Sequence, residues 1–183
     1  MQSSLIRTTF MVLGLVVAFV FVPLSGLLPK AAAQGVEESV TGHAEFVNPN
    51  NQNHVRHSVS AILHSVDPVT GVRTVSGEVE SHLVTPAGDV TSGHGTVTCF
   101  TLIGNIARIG GTVDRREPPL TNSADFRLTV VDNGEGSNAD LPDLASPIVL
   151  VAPGTAQDFC NGAGAQNLFT VERGNIQIRP SGF

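Results

Sequence analysis

From Val40 onward the chain is cut into short β-branched runs in which apolar and polar residues alternate, each ended by a cluster of Gly, Pro, Asn or Asp. A two-residue period scatters apolar side chains around a helix but gathers them on one face of a strand. The runs predict strands over residues 40–47, 57–66, 72–85, 95–103, 106–113, 124–132 and 148–152, with a last one through 176–178, and no helix. Asn48-Pro49-Asn50-Asn51, Asp67-Pro68 and Pro86-Ala87-Gly88-Asp89 supply breaks between them, and Glu117-Pro118-Pro119 a stiff link. Strands joined by short turns pair antiparallel. The expected class is all-β, an antiparallel barrel or sandwich of about seven to eight strands.

The best-defined element is a hairpin centred on Gly104-Asn105, a dipeptide suited to a two-residue primed turn. That turn sets Ile103 opposite Ile106, Leu102 opposite Ala107 and Phe100 opposite Ile109. Phe100, Leu102, Ala107 and Ile109 then share one face and form the expected core, while Cys99, Thr101 and Arg108 take the other face.

Residues 1–33 differ in kind from everything after them. Arg7 gives a short basic start, Phe10 to Val22 forms an apolar run ended by Pro23, and Ala31-Ala32-Ala33 offers the small residues that signal peptidase accepts. Residues 1–33 are expected to be a signal peptide cleaved between Ala33 and Gln34, leaving 34–183 as one secreted β domain. The competing reading, an uncleaved anchor, is opposed by Pro23 and Pro29 within the apolar stretch.

The leader holds Arg7 and Lys30 and none of the 16 acidic residues, so the remaining chain keeps eight of the 10 basic ones and a formal net charge of -8. Such a chain repels phosphate backbones, and nucleic acid is not an expected partner. The region after the leader has no Trp, Tyr or Met. Its core must be aliphatic, and the aromatic platforms of sugar or single-strand binders are missing. The same lack argues against an outer-membrane barrel, which carries aromatic girdles, so no membrane contact is expected after cleavage.

His94-Gly95-Thr96-Val97-Thr98-Cys99, Gly104-Asn105-Ile106-Ala107, Gly110-Gly111, Val131-Asp132-Asn133-Gly134-Glu135-Gly136 and Gly174-Asn175-Ile176-Gln177-Ile178 succeed one another along the chain. This series resembles a group of small exported bacterial β-rich proteins of unknown function. The resemblance implies a secreted β domain and brings no catalytic residues.

All six histidines, at 43, 54, 57, 64, 82 and 94, fall in the first half of the exported region. His54 and His57 are three apart and oppose each other on a strand. Pairing Asp67 with Val72 and continuing that ladder sets His57 opposite His82, a candidate two-histidine metal pair that lacks a third ligand. The segment Asp132 to Asp143 has the oxygen-rich, glycine-rich composition of a calcium loop without EF-hand spacing. No nucleophile elbow or sequential triad is present, and no cofactor motif. Cys99 and Cys160, the only cysteines, are expected to form an intramolecular disulfide, the usual use of an even count in an oxidising compartment. The functional expectation is a noncatalytic domain at the cell exterior, binding an unidentified ligand or protein or serving structurally. The alternatives are a metal-binding protein using the strand histidines and a hydrolase with a non-sequential site.

Overall fold

A computed structural model of the chain describes residues 35–134 and 141–181. The expected signal peptide (residues 1–33), its expected Ala33–Gln34 cleavage point and residues 135–140 of the acidic segment lie outside the described residues. The described residues fall in one compact unit.

The chain runs β1 (Gly35–Asn48), β2 (Asn53–Val66), β3 (Arg73–Val84), β4 (Val90–Ile103), β5 (Ile106–Glu117), β6 (Asp125–Val131), β7 (Leu144–Ala145), β8 (Val149–Val151), α1 (Ala156–Cys160), β9 (Phe169–Thr170) and β10 (Arg173–Arg179). All strands belong to one antiparallel sheet in the order β10-β1-β2-β3-β4-β5-β6-β7-β9, with β8 on β6. The outer members of that path, β9 and β10, are consecutive in the chain, so the sheet curls into a half-barrel whose two ends share one segment. The expected all-β class holds. Ten strands replace the expected seven or eight because β7 and β9 have two residues each and leave no periodic trace.

The alternation of β2 carries Val55, His57, Val59, Ala61 and Leu63 inward and sends Arg56, Ser58 and Ser60 to solvent. The Gly104-Asn105 hairpin forms in the expected register, with Leu102 opposite Ala107 and Phe100 opposite Ile109. Gly104 alone takes a positive φ, 62°, as a first turn position of type II′ requires. Phe100, Ala107 and Ile109 are fully buried, and Leu102 packs against the same core.

A bulge decides which side of the sheet Cys99 faces. Val97 pairs with Gly111 but Cys99 pairs with Gly110, leaving Thr98 as an extra residue. An extra residue reverses the inside-outside parity of the residues beyond it. Val97 and Phe100 therefore both join the inner core, whereas Cys99 is buried on the other face with Ala156 and Cys160. Cys99 and Cys160 are disulfide-bonded, and Cys160 belongs to the five-residue α1 that the sequence pattern did not announce. The Asp125 carboxylate accepts the Ala156 amide at 3.0 Å, and the Arg108 guanidinium lies 4.2 Å over the Phe159 ring, so α1 is fixed to the outer face of β4–β6.

Candidate ligand pocket

On the inner face, between β2, β3, β4, β5 and β6, the core leaves a cavity of about 140 Å³. Its floor is buried: Val55, His57 and Val79 from β2 and β3, and Phe126 from β6. Its rim comes from Leu83, Thr91, Arg116, Pro147, Ile148 and Leu150, with Leu150 40% exposed. Two glycines keep the space open. A Cβ on Gly95 would stand 2.7 Å from the Phe126 ring, and one on Gly111 would meet the same ring. Phe126 thus packs one edge of its ring against two bare backbones.

Arg116 reaches the rim through a second bulge. His94 pairs with Arg115 and Gly95 with Val113, so Asp114 is the extra residue and parity reverses beyond it.

His57 is the one titratable side chain in the floor, 2% exposed. Its Nε2 lies 3.2 Å from the Ser146 carbonyl, and Phe46 packs edge-on with ring centroids 5.7 Å apart. Burial lowers its pKa from 6.5 to about 4; the Ser146 and Arg56 carbonyls oppose the shift and the His43 charge adds to it slightly. The ring is neutral at neutral pH.

The expected facing of His57 and His82 does not occur. Asp67 does donate its amide to the Val72 carbonyl at 2.8 Å, as the turn requires. Farther along, Leu63 pairs with Val75 and Ser65 with Thr74, so His64 is an unpaired extra residue. Every pair beyond it slips by one: His57 faces Ser81, and His82 faces Arg56. His57 is buried inside while His82 lies on the opposite face of the sheet. His64 turns outward and lies 2.7 Å from the Ser76 hydroxyl.

His43 and His94 make local contacts, and His54 is exposed on β2. His43 Nε2 is 3.2 Å from Glu45, which Arg56 also meets at 2.7 Å. His94 stands between two carboxylates, Asp114 at 3.2 Å from Nδ1 and Glu78 at 3.5 Å from Nε2. A catalytic dyad needs one ring nitrogen free for a nucleophile, and both nitrogens of His94 face acids. Among the described residues no group of three His, Cys, Asp or Glu side chains is placed to hold a metal ion.

The described ends of the acidic segment have structural partners. Asp143 accepts the amides of Asn133 at 2.9 Å and Ile176 at 2.8 Å, and Asp132 those of Gly134 and Ile178, both at 2.8 Å. Each carboxylate thus commits both oxygens to backbone N–H groups.

The sequence pattern singles out His57 but not its surroundings. Inward alternation would have pointed to Val79, Ser81 and Leu83 beside it. The Ser146 contact is a backbone carbonyl and has no sequence signal. No protein-family model, curated protein or solved structure matches this chain.

Proposed function

We propose that this chain is an exported, noncatalytic binding domain that holds a small apolar molecule in the mouth of its curled sheet. The observation that carries this reading is the cavity of about 140 Å³ walled by Val55, Val79, Val113, Phe126, Ile148 and Leu150. A space of ~150 Å³ is large enough to accept benzene. The volume suits one ring or a short branched alkyl group and is too small for drug-sized ligands, whose pockets start near ~300 Å³. Export is supported by the leader-like residues 1–33 and by the Cys99–Cys160 bond. Among the described residues no helix is long and apolar enough to cross a membrane.

Titration of the full chain with toluene, followed by methyl NMR of Val55 and Val79, tests the reading. Saturable shifts with a Kd on the order of 0.1 to 1 mM are expected for a ligand of this size. Val79→Phe, which fills the floor, should abolish them. Absence of saturation up to the solubility of toluene would refute the cavity as a binding site.

A further inference from the structure

Among the side chains that line the cavity, Arg116 alone carries a permanent charge, and no carboxylate lines it. Strand register fixes where that charge lies. His57 pairs with Ser81, Ser81 with Gly93 and Gly93 with Arg116, so the four residues form one row across the inner face from β2 to β5. The Asp114 bulge sends Arg115 to the outer face and Arg116 to the inner one. Gly93 has no side chain, and a Cβ there would meet only the Arg115 carbonyl oxygen, at 3.7 Å, so the row is open between Ser81 and Arg116. The Arg116 guanidinium donates from Nη1 to the Pro118 carbonyl at 3.1 Å, just past the end of β5. Among the described residues it makes no ion pair, and its other N–H groups remain for a ligand at the rim.

Apolar walls with one fixed cation at the rim select an amphipathic ligand. A cationic amine would meet Arg116 with no acid among the lining residues, and a neutral molecule would gain little from the guanidinium. A carboxylate matches the guanidinium fork with two charge-assisted bonds, and at the rim its charge stays in contact with water. We propose that the cavity binds a small monocarboxylic acid as its anion, of benzoate size, with the apolar group among Val79, Val113 and Phe126 and the carboxylate on Arg116. This rests on the cavity reading above and adds to it the charge of the ligand and the residue that selects it.

Benzoate and benzamide have nearly the same shape and differ in charge. Titration of the full chain with each, and with toluene, is followed through the Val79 methyl resonances in the wild type and in Arg116→Gln. Benzoate should bind the wild type about tenfold tighter than benzamide, and Arg116→Gln should remove that margin while leaving toluene within about twofold. Added salt should weaken benzoate and leave benzamide unchanged, a readout on the wild type that stands even if the variant does not fold. A wild-type margin that is absent, a margin that survives Arg116→Gln, or benzoate binding that leaves Val79 unmoved would overturn the carboxylate inference; the cavity reading then stands on toluene. Saturation by none of the three would overturn the cavity reading itself.

Discussion

The carboxylate of Asp143 accepts the Ile176 amide at 2.8 Å across the line where the two ends of the sheet meet. β10 is paired on one side with β1, in the register Ser39 with Arg179 through Glu45 with Arg173. On its other side Ile176 and Ile178 present amides that no strand receives. Asp143 and Asp132 receive them, and the Asp143 carbonyl takes the Val171 amide at 2.9 Å. Side chains therefore stitch a seam that strand pairing leaves open, and the exposed edge that would template aggregation is removed.

Asp143→Ala should cost about 3 kcal/mol, because it removes two charge-assisted bonds and strands the buried Ile176 amide. Asp143→Asn should cost less, since one carboxamide oxygen still accepts while its NH₂ faces a donor. Denaturant unfolding measures both, and hydrogen exchange at Ile176 and Ile178 locates the effect. Unchanged exchange at Ile176 in Asp143→Ala would show that the seam is held by something else.

The disulfide closes a loop with a sequence separation of 61 and anchors α1 and the glycine-rich residues after it. The chain-entropy relation gives about 4 kcal/mol for such a loop. Cys99→Ala/Cys160→Ala should melt on the order of 10 °C lower than the wild type, judged from the entropy of unfolding for a domain this size. The rungs Leu102–Ala107 and Ile103–Ile106 lie beyond Arg108, whose guanidinium covers Phe159 of α1, and should keep their exchange protection. Loss of protection there together with α1 would mean that the bond holds the whole sheet and not its C-terminal cover.

Where local chemistry and two-residue periodicity agree, the fold was legible. The Gly104-Asn105 turn fixed its own register, so the core positions Phe100, Ala107 and Ile109 could be read without tertiary information. The ladder from Asp67–Val72 failed only past His64, because a bulge residue looks like any other residue in an alternating run. That single extra residue moved His82 to the opposite face from His57. β7, β9 and α1 are too short to show a period, and they exist because the curled sheet supplies partners for them. The pocket was illegible for the same reason: its walls come from six strands, β2 to β6 and β8, and the loop at Pro147, and only the curled sheet brings them together.

Glycines beside the pocket should divide sharply by substitution. A Cβ at Gly111 would overlap the Thr96 carbonyl oxygen and stand 2.7 Å from Phe126 Cε1, with backbone on one side unable to yield. Gly111→Ala should cost about 3 kcal/mol or more. A Cβ at Gly93 would meet only the Arg115 carbonyl, at 3.7 Å, an ordinary contact. Gly93→Ala should stay within about 0.5 kcal/mol of the wild type. Urea midpoints of the two variants compare them directly, and equal stability would show that Phe126 does not rest on Gly111.

Acid should destabilise this protein through His57 in a window set by its burial. The unfolded chain protonates this histidine near 6.5, whereas the folded ring resists protonation down to about 4. Protons therefore bind the unfolded state in preference, so the contribution of His57 to stability is fully present above pH 6.5 and declines as pH falls toward 4. The slope is about 1.4 kcal/mol per pH unit in that window, and the total by pH 4 is on the order of 3 kcal/mol. Carboxylates held below their usual range, among them Glu45 beside His43 and Asp67 under the Thr70 and Val69 amides, also lose stability in acid. Their contribution is common to the wild type and to His57→Phe and cancels in the difference between the two. Unfolding free energies measured from about pH 7.5 to 4 should therefore diverge, the wild type losing about 3 kcal/mol more than His57→Phe. Parallel curves would mean that the folded state accepts the proton, which requires the imidazole to be solvated and the cavity floor to be wet.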